Sequence, residues 1–180
     1  MSGTELQGQV EIVTPRLRLR RLRPRDAALI ALHAGDRRVA WSTARIPHPY
    51  PPGAAEALIE RARAPGAPDL VWGLDTGADD ENGLIGLIVL RPKGQAVGQV
   101  SYWVASAFWN TGYASEAVEG LVAWAAGSGR RELTAEVFQD NPASARVLTR
   151  AGFVYEGEGE TFSLARGAMV PTFLYRRGLE

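Results

Sequence analysis

Residues Val100 to Ala117 constrain the fold more than any other stretch of the chain. Val100-Ser101-Tyr102-Trp103-Val104-Ala105 reads as an apolar strand, Ser106 to Thr111 as a short loop reaching Gly112, and Tyr113 to Ala117 as the first turn of a helix. A strand, a loop, a glycine and a helix in that order leave the first helical N–H groups unpaired, with the positive end of the helix dipole behind them. Such an end can hold a phosphate without any basic side chain. The same order also occurs as a plain connection with no ligand, and spacing alone leaves both readings open.

The flanking rhythm sets this stretch within a single domain. Leu17 and Leu19 alternate with Arg16, Arg18 and Arg20 after Pro15, the period-two pattern of a half-buried strand whose arginines are expected on the solvated face. A helix over 24–34 follows, then an irregular, proline-rich segment from Asp36 to Gly53, then a helix over 54–64. Long loops in compact domains often form binding walls, so Trp41, His48 and Tyr50 are candidate substrate contacts, although Trp41 and Tyr50 also suit a role covering the core edge. Strands are expected over 70–74, 84–90 and 97–105 as an antiparallel meander, with a polar turn over 76–83. Ala114, Ala117, Val118, Leu121, Val122 and Ala125 share one helical face, with Glu116 and Glu119 away from it. A strand over 133–138 comes next, and the crossover makes it a parallel neighbour of the strand over 97–105. Asp140-Asn141-Pro142 starts another helix, ended at Gly152, and strands over 153–157 and 168–176 flank a polar turn over 158–167.

Composition removes several chemistries. Twenty basic and twenty acidic residues balance to zero formal charge, so nothing global favours nucleic acid or an anionic membrane. There is no cysteine, which excludes disulfides, thiolate zinc sites and a cysteine nucleophile. His33 and His48 are the only histidines and form no HExxH pattern, so no metal is expected. Met1 to Val10 is polar without an apolar leader core, and the longest apolar run, Leu84 to Leu90, is too short to span a bilayer; a cytoplasmic protein is expected. No Walker A sequence is present, and the Gly127/Gly129 and Gly157/Gly159 pairs stand in the wrong context for dinucleotide binding.

The order of elements, together with Trp109-Asn110-Thr111-Gly112-Tyr113-Ala114-Ser115-Glu116-Ala117, resembles the GNAT acyl-CoA N-acyltransferases, in particular the RimJ/RimL-like branch. The signature Q/R-x-x-G-x-G/A falls on Trp109 to Ala114: Gly112 and Ala114 match, Trp109 replaces Gln or Arg, and Asn110 stands where the branch commonly has glycine. Asn tolerates a left-handed backbone better than other non-glycine residues, so the turn can survive. Thr14 to Arg20, Pro47 to Pro51, and Asn141 to Leu148 with Gly152-Phe153 are similar to further segments of the branch.

This resemblance implies an α/β (α+β) fold: one GNAT-like domain over residues 12–177 behind an N-terminal tail over 1–11. Its mixed, mostly antiparallel, twisted sheet has about seven strands, splayed between the fourth and fifth, and about four helices. It implies acetyl-CoA as co-substrate. The pyrophosphate would sit on Trp109, Asn110, Thr111, Gly112, Tyr113 and Ala114, and the pantetheine against Trp103, Val104, Ala105 and Asn141. It also implies acetyl transfer to a primary amine, of a protein N-terminus or a small molecule, by direct attack in a ternary complex. Homodimers are frequent in the branch.

Three chemical roles need filling: a donor to the thioester carbonyl, an acid for the thiolate and a base for the amine. A backbone N–H near Val104 suits the first, because a splayed strand leaves it unpaired. The tyrosine that many relatives use as acid is replaced by Leu148, and Ser144 matches the branch serine that binds or protonates the thiolate; a serine so near a helix start also commonly bonds its own backbone. Glu136 stands where some ribosomal-protein acetyltransferases carry a base. A solvated residue, or a water relay in its stead, is the other reading. A non-catalytic acyl-CoA-binding or sensing domain is the rival function.

Overall fold

Alternating apolar residues build one eight-stranded sheet, and helices cover its two faces. The computed structural model describes residues 9–77 and 83–179. Of the expected N-terminal tail and the expected turn over 76–83, residues 1–8 and 78–82 therefore lie outside the described residues. The elements are β1 (Ile12–Val13), β2 (Arg18–Arg21), α1 (Ala27–Ala34), α2 (Arg37–Trp41), α3 (Ala54–Arg63), β3 (Leu70–Asp75), β4 (Leu84–Lys93), β5 (Val97–Val104), α4 (Tyr113–Ala126), β6 (Glu132–Phe138), α5 (Pro142–Arg150), β7 (Val154–Ser163) and β8 (Ala168–Gly178). Strand order is β1-β2-β3-β4-β5-β6-β8-β7. All neighbours are antiparallel except β5 and β6.

The α4 face with Ala117, Val118, Leu121, Val122 and Ala125 packs with Leu148 of α5 against Ile88, Val100, Leu133 and Ala135 in the main core. On the opposite face, Ile30 of α1 and Ile59 of α3 meet Leu84 and Leu87, and Val39 and Ala40 of α2 gather a third cluster with Ile46. No helix among the described residues is long and apolar enough to cross a membrane. No group of three or more metal-ligating side chains occurs among them either.

Three features differ from the expectation. The irregular segment contains α2: Asp36 caps it by accepting from the Arg38 N–H at 2.9 Å, and five residues are too few to reveal a helical period. The expected turn over 158–167 is mostly strand, since β7 continues to Ser163 and pairs with β8 as far as Ser163 with Ala168. As an edge strand with one face in solvent, β7 carries Glu156, Glu158 and Glu160 there, a composition that imitates a loop. Arg20 is buried rather than solvated. Its guanidinium forks onto Asp26 at 2.9 and 3.0 Å and onto Asp75 at 2.5 Å, so three buried charges compensate one another across β2, the turn before α1, and β3.

Candidate active site

The sheet opens between β5 and β6. The two strands pair only from Val97 with Glu132 to Val100 with Ala135. Beyond that point β6 stays with β8 through Phe138, while β5 stays with β4 through Val104. Ser101–Val104 and Glu136–Phe138 therefore flank a gap.

Alternation decides which backbone groups face this gap. The Ala105 N–H donates to the Ile85 carbonyl at 2.7 Å, and the Ala105 carbonyl accepts from Phe108 at 2.9 Å. Two residues back, the Trp103 backbone turns to β4 in the same way, so the backbone groups of Tyr102 and Val104 lie on the gap side, the Val104 carbonyl there already accepting from Trp109 Nε1. Of the three residues expected to pair with pantetheine, Val104 has its N–H on the gap side, whereas the Trp103 backbone turns to β4 and both backbone groups of Ala105 are bonded; Tyr102, not among the expected residues, also has backbone groups on the gap side. Counting alternation from the strand end is the signal that would have found Tyr102. Gly86 lets β4 approach here, because a Cβ on it would lie 2.2 Å from the Trp103 carbonyl oxygen.

After β5 the chain turns through Ser106–Phe108 and enters the loop before α4. Asn110 has φ +60° and Gly112 φ +86°, so the left-handed turn is formed with Asn in the first position. No side chain caps α4, whose first internal bond runs from the Glu116 N–H to the Gly112 carbonyl at 3.0 Å. The N–H groups of Tyr113, Ala114 and Ser115 are left for an external acceptor. A neutral set of convergent donors behind a helix dipole suits a pyrophosphate. The loop is braced at several points: Trp109 Nε1 donates to the Val104 carbonyl at 2.7 Å, Thr111 Oγ1 to the Phe108 carbonyl, and Arg16 Nη1 to the Thr111 carbonyl at 2.9 Å. The Arg16 guanidinium also covers the Tyr113 ring at 4.4 Å and meets Glu116 at 2.7 Å. Glu116 is therefore not an outer-face residue as expected; its side chain is only 13% exposed.

At the start of α5, Asn141 Oδ1 accepts from the Ser144 N–H at 3.2 Å, which is the capping role, and Asn141 Nδ2 donates to Ser144 Oγ at 3.3 Å. The Ser144 hydroxyl proton stays free of both bonds. Tyr102 Oη reaches across from β5 to the Ser144 carbonyl at 3.2 Å, and burial pushes its phenol far above the ordinary tyrosine range, which keeps it a donor.

Glu136 comes from the other side. Leu133, Ala135 and Val137 belong to the main core, so alternation turns Glu136 and Phe138 to the α1–α3 face. Glu136 Oε1 accepts from Thr172 Oγ1 of β8 at 2.6 Å. Tyr50 and Trp103 both pack against the α2 cluster, as does Ala165 of the β7–β8 turn. Trp41 is held by Arg166: Nε and Nη2 donate to its carbonyl at 2.9 and 2.7 Å, and the guanidinium lies 5.4 Å from its ring and 4.6 Å from that of Phe138. Arg166 also grips Asp140 bidentately at 2.7 and 3.1 Å, holding that carboxyl below its ordinary value. His48 is exposed on the proline loop and makes no hydrogen bond among the described residues. Arg166 and Thr172 carry no local signal in the sequence, since their partners are 26 to 125 residues away.

Comparison with known proteins agrees with this geometry. The family model described as "Acetyltransferase (GNAT) domain" matches residues 16–154. An uncharacterized N-acetyltransferase of Bacillus subtilis, YoaA, is 30% identical over 106 residues; the match covers 58% of this chain and 59% of YoaA, well under its full length. An acetyltransferase of the GNAT family from Bacillus anthracis superposes with a TM-score of 0.80 at 19% identity, covering 94% of this chain and 98% of that one. Mycobacterium smegmatis RimJ, solved with a CoA-disulfide, superposes with a TM-score of 0.75 at 20% identity over 94% and 86% of the two chains. Because the family model spans most of the chain, including the gap, the loop and the α5 cap, this protein belongs to the GNAT acetyltransferase family.

Proposed function

We propose that the chain transfers the acetyl group of acetyl-CoA to a primary amine by direct attack within a ternary complex. The observation that carries this reading is the gap between β5 and β6, with the Val104 N–H turned into it and the uncapped α4 start beside it. In this reading Val104 polarises the thioester carbonyl, and the N–H groups at the α4 start hold the pyrophosphate. Ser144 binds or protonates the departing thiolate from the α4/α5 face. Glu136 takes the amine proton from the opposite face, where Trp41, Tyr50 and His48 form the acceptor wall. Side chains arriving from two faces suit two substrates bound together, and direct attack needs no covalent intermediate on the protein.

The acceptor belongs to one of two classes, a protein N-terminal amine or a small-molecule amine, and the RimJ/RimL-like placement favours the former. The test is thiol release from acetyl-CoA against a panel of short peptides with free N-termini and of polyamines. An acetyltransferase releases CoA with at least one of them, and Glu136→Gln and Ser144→Ala each slow it by about tenfold or more. A non-catalytic acyl-CoA sensor would bind acetyl-CoA and release thiol no faster than buffer. The proposal includes a cytoplasmic location, catalysis without a metal, and a homodimer. These are checked by cell fractionation, metal analysis of the active protein, and light scattering.

A further inference from the structure

Among the described residues the Glu136 carboxylate has a single hydrogen-bond partner, Thr172. Thr172 is fully buried on β8, and Gln139, just past the end of β6, holds the backbone there. Gln139 Nε2 donates to the Thr172 carbonyl at 3.2 Å, and the Gln139 N–H to the preceding Pro171 carbonyl at 3.0 Å. A β-branched side chain has few rotamers, and without water the hydroxyl needs a protein acceptor. Here that acceptor is the neighbouring strand's carboxylate rather than a carbonyl of its own strand. On the other side Gly159 of β7 stands in register with Thr172, and a Cβ there would lie 3.1 Å from Thr172 Oγ1. The glycine leaves the hydroxyl room to keep its aim.

Gly159 and Thr172 are paired across β7 and β8, and Glu136 lies diagonally, two residues before Phe138, the β6 residue in register with Thr172; from this arrangement we infer that Thr172 is a positioning residue for the proposed base. It holds Oε1 so that Oε2, which has no partner among the described residues, faces the gap. The inference rests on the assignment of Glu136 as base. A hydroxyl donor serves the proton-free carboxylate, the state a base occupies before it acts. One fixed oxygen also removes the rotamer freedom that would scatter the other.

The experiment compares Thr172→Val, Thr172→Ser, Gly159→Ala and Glu136→Gln with the wild type, using whichever panel amine the wild type turns over. Valine keeps the shape and removes the donor, so kcat/KM for the amine falls about tenfold or more while KM for acetyl-CoA stays within about twofold. Serine restores most of the rate. Gly159→Ala, which crowds the hydroxyl without touching Glu136, gives a smaller loss of the same kind. Crystal structures give a readout independent of turnover: Glu136 leaves its rotamer in Thr172→Val and regains it in Thr172→Ser. Wild-type rates in a folded Thr172→Val protein, or a serine variant no better than valine, overturn the inference. If Glu136→Gln is fully active, the base assignment itself fails and the inference falls with it. If Glu136→Gln is inactive while Thr172→Val is unaffected, only the inference fails.

Discussion

Arg16 and Glu116, one hundred residues apart, share an ion pair of 2.7 Å, and the same carboxylate accepts from the Arg16 N–H at 2.7 Å and from Thr14 Oγ1 at 2.6 Å. The segment before β2 is thereby fastened to the first turn of α4, and Arg16 passes the restraint on to the Thr111 carbonyl. A neutral Glu116→Gln keeps the shape and weakens all three bonds. With the guanidinium side chain 46% exposed, the stability loss is about 1 kcal/mol, a fall of roughly 2–4 °C in Tm. The sharper effect is on the phosphate loop: KM for acetyl-CoA rises about fivefold and kcat changes little, which steady-state kinetics with acetyl-CoA varied will check.

The same carboxylate sets a pH dependence. Burial pushes Glu116 up, but the bonds from Thr14 and Arg16 outweigh it and hold the group below its ordinary value. A carboxyl lowered by folding contributes stability that is fully present above its unfolded value, about pH 4.3, and is lost as pH falls through the lower folded value. The stability gap between wild type and Glu116→Gln, measured by urea unfolding, is therefore expected to be constant from about pH 7 to 5 and to close below about pH 4.

Asn110 and Gly112 both sit at positive φ, and their substitutions should separate conformation from contact. Asn110→Gly relaxes the turn and should keep CoA affinity or raise it slightly. Asn110→Val forces a β-branched residue into the left-handed region and should weaken CoA binding about tenfold. Gly112→Trp should abolish CoA binding while leaving the far-UV spectrum unchanged. Calorimetry with CoA reads all three, and unchanged affinity in Gly112→Trp would remove the pyrophosphate from this loop.

Arg166 joins the β7–β8 turn to α2 and to the start of α5, with its side chain only 14% exposed. Removing it strips the Trp41 carbonyl of two donors and Asp140 of its bidentate partner. Arg166→Ala should cost about 2 kcal/mol and raise KM for the amine more than KM for acetyl-CoA. Arg166→Lys should not rescue it, since an ammonium cannot make the planar fork. Thermal melts with a two-substrate kinetic matrix check both statements.

What the sequence made readable is local. Gly112 before an apolar period of 3.6, Asn141-Pro142 before another, and a strand–helix–strand crossover led to the α4 start, the α5 cap and the parallel β5–β6 pair. The gap followed from resemblance, and the pairing that stops at Val100 and Ala135 supports it. Unreadable parts depend on partners distant in the chain. Arg20 looks like one of several surface arginines until Asp26 and Asp75 close around it. Glu116 looks like an outer-face acid until Arg16 arrives. Alternation is visible in β5, but which half of it faces the gap depends on the register with β4, which only the folded sheet supplies.

The acidic residues along β7 have a consequence for assembly. A second copy laid antiparallel along this edge and centred on Gly159 would bring Glu158 of each copy against Glu160 of the other, and like charges directly opposite each other repel. At the far edge, β1 offers two residues for pairing among the described residues. Pairing along β7 is therefore disfavoured, and a symmetric partner is expected to meet this protein elsewhere than along that strand. The backbone hydrogen bonds of the sheet would then stay within one chain, and both walls of the gap between β5 and β6 would come from a single subunit.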